Sequence, residues 1–334
     1  MVQYCFQSAN ISCLKATRPT ELYVILYIFF SAVEMLTVCG NLVVIISISH
    51  FKQLHTPTNL LVLSLAVADL LVGVIVMPFT IIRSIESCWY FGSMFCSVYT
   101  LFLLLLTSVS ISNLVFIAID RYFAICDPFF YSNKITVQVT LHFISISWLI
   151  SVFYTLAIIY FKGYIDDPTE LNICPGDCVF VFTSKWGTID MFVTFIFPFS
   201  MMILFYTKIF IVAKRHARVI NSVTQQRKSS ERKEINIPKR SERKAAKTLG
   251  IVVAVFIMCW VPYYICTLLV PYMNTDDPSA VVQAFAWIAN CNSSMNPVIY
   301  ALFYPWFKKS LKLLVTLKIF NQGSSLINLF PHAQ

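Results

Sequence analysis

The sequence predicts an all-α membrane protein: a bundle of seven transmembrane helices followed by a short amphipathic helix on the cytoplasmic surface. Three observations carry this. Of 334 residues, 58% are hydrophobic and only 12% charged, about half the charge density of a soluble domain. Seven apolar runs, near 22–49, 59–82, 94–119, 139–161, 187–213, 247–271 and 280–304, are each long enough to cross about 30 Å of hydrocarbon. The basic residues, finally, are distributed so unevenly between the connecting segments that they fix an orientation.

With the N-terminus outside, the inner segments hold all but five of the 25 Lys and Arg; the five are Lys15, Arg18, Arg83, Lys162 and Lys185. The net charge of +9 is therefore a topology and leaflet signal, and nucleic-acid binding is set aside. Cys5, Cys13, Cys88, Cys96, Cys174 and Cys178 all fall outside, where disulfides persist. Cys39, Cys126, Cys259, Cys266 and Cys291 fall in spans or at the inner edge and read as free thiols. Asn10-Ile11-Ser12 is a glycosylation sequon on the outer side, whereas Asn292-Ser293-Ser294 lies within the seventh span and should be unused. No cleavable signal precedes the first span, which serves as the targeting signal itself.

The chain divides into an extracellular tail (1–21), one membrane domain (22–304) and an amphipathic helix with a cytoplasmic tail (305–334). The polar, mixed-charge stretch from Gln225 to Arg243 joins spans five and six as a flexible loop or a helical extension. In Phe307-Lys308-Lys309-Ser310-Leu311-Lys312-Leu313-Leu314, lysines and apolar residues alternate at helical spacing, as in a helix lying on a membrane surface. No Cys follows it, so no palmitoyl anchor is expected. The halves share no internal repeat, which weakens a transporter reading. The five histidines are scattered, and no metal or nucleophile cluster suggests an enzyme.

Polar residues inside membrane spans are costly and tend to be functional. Here they form a series: Gly40-Asn41 in span one; Leu65-Ala66-Val67-Ala68-Asp69 in span two; Asp120-Arg121-Tyr122 ending span three; Trp148 in span four; Pro198 and Tyr206 in span five; Phe256 and Cys259-Trp260-Val261-Pro262-Tyr263 in span six; Asn296-Pro297-Val298-Ile299-Tyr300 in span seven. In this order and on these spans, the motifs resemble the rhodopsin-like G-protein-coupled receptors across nearly the whole chain. The segment from Asn292 to Phe307, the run Ser87-Cys88-Trp89-Tyr90-Phe91-Gly92 and the spacing of Cys174 and Cys178 are similar to the trace amine-associated receptors within that family. An opsin is excluded because residues 280–304 contain no Lys.

The resemblance implies an olfactory-type receptor for small protonated amines in the plasma membrane. It would couple to a heterotrimeric G protein of the stimulatory type and raise cyclic AMP. No cofactor is implied, and membrane lipid is the remaining partner. By the same resemblance, Arg121 pairs at rest with Asp120 and with Glu242 of span six, and Tyr206 and Tyr300 close behind it on activation; an Arg snorkelling to lipid phosphate is the plainer reading. Ile111, Pro198 and Phe256 would pass motion from pocket to cytoplasm. Asp69 with Ser110, Asn292 and Ser293 would hold sodium, hard oxygens suiting a small hard cation, or Asp69 is a protonated acid in a water cluster. Cys96 and Cys178 would form the bridge that pins the second outer loop. Cys174 would pair with an N-terminal cysteine, preferably Cys13, which follows the sequon, rather than Cys5; six cysteines allow fifteen pairings.

Trp260, Tyr263 and Tyr264 on span six and Trp287 on span seven are candidate walls for a ligand. Aromatic faces attract ammonium groups by roughly 0.5–2 kcal/mol each, although bundle packing explains the same residues. The span-three position at which most amine receptors carry an Asp is Leu103, with Leu104, Leu105 and Leu106 beside it and Thr107 a turn below; the span-seven position often occupied by Tyr is Asn290. Asp190 offers a replacement. It precedes Pro198 by eight residues, about 12 Å along the helix, and Thr194 shares its face. This is similar to the trace amine receptors that carry an acid on span five. The plainer readings are a hydrated Asp190 paired with Lys185, or a receptor of this family whose ligand is not an amine. Glu34 in span one is a second buried acid, expected to hydrogen-bond within the bundle.

Overall fold

Pro19 leads into the first helix, and nothing in the following sequence interrupts it until His50, so α1 runs over Thr20–His50. The computed structural model describes residues 4–6, 12–165, 174, 176–178, 184–226, 240–269 and 278–330, as backbone alone at 161–165, 184–186, 216–226, 240–246 and 278–280. Among them the regular elements are helical, apart from one antiparallel bridge between Tyr4 and Leu14. Thr56 caps α2 (Pro57–Glu86) by accepting the Asn59 N–H, and Pro57 takes the first-turn position, where its missing N–H costs nothing. α3 spans Gly92–Cys126. The short helix Pro128–Lys134 follows, capped the same way by Asp127, which accepts from Phe130. α4 is Val137–Ile165. α5 is built of Ser184–Asp190, a π-helical turn over Met191–Ile196, and Phe197–Gln226. α6 is Arg240–Leu269 and α7 Pro278–Phe303, each with an internal proline, Pro262 and Pro297.

Six of these helices are long and apolar enough to cross a membrane: Thr20–His50, Pro57–Glu86, Gly92–Cys126, Val137–Tyr160, Gly187–Arg215 and Lys247–Leu269. α7, the seventh expected run, has the length but carries Asn290, Asn292, Ser293, Ser294 and Asn296, which lower its apolar character. It packs extensively on α6 and α1, and its Ser293 and Asn296 side chains both donate to Asp69 of α2. α1 and α4 turn apolar side chains outward instead, with Ile28 66% and Phe153 70% exposed. That is the surface hydrocarbon chains would cover.

Two π-helical turns, Val72–Val76 in α2 and Met191–Ile196 in α5, each end just before a proline, Pro78 and Pro198. Proline cannot donate to the preceding turn and its ring crowds that carbonyl, so the helix widens locally. Such turns recur at functional sites. The one in α5 begins directly after Asp190.

α1 and α7 approach closely at Gly40: a Cβ there would lie 2.6 Å from Cβ of Pro297. Next to it Asn41 donates through Nδ2 to the Ser293 carbonyl at 3.0 Å, a polar bond across the same seam. After α7, Tyr304 starts α8 (Pro305–Val315). Trp306, Phe307 and Ser310 point inward while Lys308, Lys309 and Lys312 are exposed. Beyond it the chain folds back, which the sequence reading did not anticipate. Ile319 and Leu329 join the core, the Ser324 hydroxyl meets His50 Nε2 at 2.9 Å, and the Leu329 N–H donates to Gln53 at 3.1 Å.

Gly40→Val should lower the melting temperature of the purified protein, since overpacking a close helix contact costs about 1–3 kcal/mol. An unchanged melting temperature would contradict the close approach.

Candidate functional site

A cavity of about 560 Å³ opens between the helices, within the usual range for small-ligand sites. Its floor is aromatic: Trp260 and Tyr263 meet edge-on, with ring centres 6.0 Å apart, and Tyr264 stacks on Phe195 at 4.2 Å. α3 contributes Leu103, Leu104 and Thr107, α5 contributes Asp190, Met191 and Thr194, and α7 contributes Asn290. Of the residues expected around a ligand, Asp190, Thr194, Leu103, Thr107, Trp260, Tyr263, Tyr264 and Asn290 all line this space. Trp287 does not line it. Its ring stacks on Phe30 of α1, centres 4.0 Å apart, and is 6% exposed; the side chain is spent on the α1–α7 seam.

Asp190 is half-buried, and one carboxylate oxygen accepts a hydrogen bond from the Tyr154 hydroxyl of α4 at 2.7 Å. No described cation lies within ion-pair distance of it; the Lys185 side chain lies outside the described residues. Thr194 donates to the Asp190 carbonyl at 2.7 Å and shares a hydrogen bond with the Tyr264 hydroxyl at 3.2 Å. The widened turn, the acid and the aromatic floor are thus joined through Thr194. Tyr154 was not foreseen. The signal was there, since a phenol amid Val152 and Phe153 of an apolar span needs a polar partner, but no periodicity names a partner on another helix.

Deeper in the bundle Asp69 is fully buried. Ser110 donates to Oδ1 at 3.2 Å, Ser293 to Oδ1 at 2.8 Å and Asn296 to Oδ2 at 2.7 Å. Ser110 and Ser293 sit where the sequence placed them. Asn292 makes no bond to Asp69, and Asn296 fills that part. Ile111 and Phe256 are buried beside one another's helices, with Phe256 between Phe199 at 5.4 Å and Trp260 at 6.0 Å, which connects the cavity floor to the inner core. Pro198 is buried next to Phe199.

At the inner end of α3, Arg121 is 4% exposed and Asp120 5%. The Arg121 Nε donates to Asp120 Oδ2 at 2.9 Å, and its Nη2 reaches the same oxygen, Thr58 of α2 and the Tyr131 hydroxyl. Tyr131 donates to Asp120 Oδ1 at 3.0 Å. Burial foremost pushes its phenol up to about 12, so it keeps its proton at any physiological pH. Tyr131 and Thr58 were missed by the sequence reading, being ordinary residues of a loop helix and a helix start. Tyr122 turns away, its ring 5.8 Å from the Lys208 ammonium. Tyr206 and Tyr300 have buried hydroxyls without a hydrogen bond to Arg121. Glu242 falls in the first turn of α6, and its side chain lies outside the described residues.

At the mouth, three disulfides join Cys96 to Cys178, Cys13 to Cys174 and Cys5 to Cys88. Cys5 and Cys13 are themselves paired through a backbone bond of 2.9 Å. Lys15 meets Glu86 at 2.6 Å, and that hydrogen bond pushes its ammonium up to about 12. Asn10 lies outside the described residues.

A long-helix bundle with a polar core, a buried cation at one end and a bridged mouth at the other defines a membrane receptor architecture, and the comparisons agree. Residues 40–300 match the family model for the 7 transmembrane receptor (rhodopsin family). The chain is 48% identical to trace amine-associated receptor 13c of Danio rerio over 98% of its length and 96% of the relative's. It is 45% identical to trace amine-associated receptor 6 of Homo sapiens, again over 98% and 96%. With trace amine-associated receptor 4 of Mus musculus it shares 40%, over 99% and 96%. The chain therefore belongs to the rhodopsin-type seven-transmembrane receptors and, among them, to the trace amine-associated receptors. This is a family of multi-pass membrane receptors, not of enzymes.

Peptide mapping of the non-reduced protein should recover three cross-linked pairs, Cys5 with Cys88, Cys13 with Cys174 and Cys96 with Cys178. Recovery of Cys5 linked to Cys174 would contradict the arrangement at the mouth.

Proposed function

We propose that this chain is a receptor for a small protonated amine, whose ammonium group is held by Asp190. The observation that carries the reading is that Asp190 is the one acidic side chain among the described residues lining the cavity. A carboxylate away from water is expensive unless paired, and Tyr154 supplies a hydrogen bond but no charge. An ammonium group supplies the charge, and the aromatic rings below add cation–π attraction. The names of the relatives, trace amine-associated receptors, favour the same ligand class. With Leu103 in place of an acid on α3, the amine enters this pocket pointed at α5.

The remaining assignments rest on the family and on the chemistry of the side chains. The receptor sits in the plasma membrane with its N-terminus outside, glycosylated at Asn10, and α8 lies on the cytoplasmic face. It couples to a stimulatory G protein and cyclic AMP in an olfactory role. The pairing of Arg121 with Asp120, Thr58 and Tyr131 suits a resting state in which the cation is withheld from the G protein, with Glu242 as a further partner. Tyr206, Tyr300, Asn296 and Pro297 form the part that rearranges. The oxygens of Asp69, Ser110 and Ser293 fit a sodium ion that favours that resting state, hard donors around one carboxylate.

Removing one partner of a buried ion pair costs about 3–5 kcal/mol, a loss of several hundredfold or more. Asp190→Asn keeps the shape and should cut amine potency by that order in a cyclic AMP assay at normal surface expression. Leu103→Asp combined with Asp190→Asn should restore part of the response with the ligand reversed. An Asp190→Asn variant that keeps full potency would mean that the ligand is not held by this acid and that a non-amine ligand is the better reading.

A further inference from the structure

The cavity carries a second charge that the amine reading leaves unused. Among the described residues, two charged side chains line it, Asp190 on α5 and Arg83 near the end of α2. Their signs are opposite. α2 and α5 both pack against α3, and the α3 side chains in the lining, Tyr99, Thr100, Leu103, Leu104, Thr107 and Ser108, carry no charge. The space therefore has an acid on one wall, a base on another and uncharged surface along α3.

Arg83 is held loosely. Its ion pair among the described residues is with Asp177 of the outer loop, at 3.6 Å, which is longer than a direct hydrogen bond. The Asp177 oxygen concerned, Oδ1, already accepts the Cys178 N–H at 2.7 Å. A guanidinium is permanently charged and presents a flat fork matched to a carboxylate. The long Asp177 contact and a hydrogen bond with the Tyr99 side chain leave part of that capacity for a ligand. A second ammonium at this wall, by contrast, would meet like charge.

We propose that the ligand is a zwitterion, an amine bearing a carboxylate at its far end, with the carboxylate bound by Arg83. This rests on the assignment of the ammonium to Asp190 and adds the chemistry of the other end. It accounts for a cavity larger than a bare alkylamine needs, and it separates this pocket from one built for diamines, which would need a second acid.

The test uses the full-length receptor and three matched series of about four to eight carbons: n-alkylamines, ω-amino carboxylates and α,ω-diamines. Binding is read as thermal shift of the purified protein and response as cyclic AMP at matched surface expression. At the best chain length the amino carboxylate should exceed the alkylamine by about tenfold or more, as charged hydrogen bonds allow, and the diamine should be weakest. Arg83→Gln should bring the amino carboxylate down to the alkylamine, with the alkylamine itself unchanged. Arg83→Glu should make the diamine the preferred series, a gain that misfolding cannot produce. Equal potency of amino carboxylate and alkylamine in the wild type, or an equal loss for all three series in Arg83→Gln, overturns the proposal and leaves Arg83 a tether for the loop. In either case an alkylamine response abolished by Asp190→Asn would keep the amine reading intact. An alkylamine response that survives Asp190→Asn, or a wild type that binds no series, overturns both.

Discussion

The cost of leaving charge unpaired away from water governs where the polar side chains of this bundle sit. At the inner end, Arg121 answers that cost with Asp120, Thr58 and Tyr131. In the middle, Asp69 answers it with three donors drawn from α3 and α7. Nearer the mouth, Asp190 answers it only in part, through Tyr154. The first two are closed arrangements. The third is open and faces the cavity, and it is there that the proposed ligand cation would complete the pairing.

These three levels are physically continuous. Thr194 ties the backbone of Asp190 to Tyr264, Tyr264 lies on Trp260 at 5.9 Å, and Trp260 leads through Phe256 to Phe199. The π-helical turn of α5 sits at the top of this column and Pro198 just below it. A ligand that pulls on Asp190 therefore acts on a helix already widened at that point, against a packed aromatic stack. The mouth is cross-linked by disulfides at Cys178, Cys174 and Cys88.

Much of this could be read from the chain. The apolar runs located the long helices, and the motif residues Asp69, Arg121 and Asn296 stand where their type and order implied. Asp190 was legible because an acid in an apolar span has to be explained. Its partner was not, because a hydrogen bond from α4 to α5 depends on helix rotation, which no spacing encodes. Trp287 failed for the same reason: its place on α7 was right, but the rotation of the helix sends it to Phe30. Tyr131 and the folded-back tail around Leu329 depend on loop geometry and docking, to which hydrophobic periodicity is blind. The pairing of Cys5 with Cys88 was left open because fifteen pairings satisfy the same six positions.

The central claim is that the ligand's ammonium group completes the charge balance of Asp190. A structure of the receptor bound to its most potent amine tests it directly. The account places the ammonium nitrogen about 3 Å from an Asp190 carboxylate oxygen, within ordinary charged hydrogen-bond distance, with the Tyr154 hydroxyl still donating to the same carboxylate. An ammonium group seated elsewhere in the cavity, with Asp190 hydrated or paired to a protein cation, would contradict it.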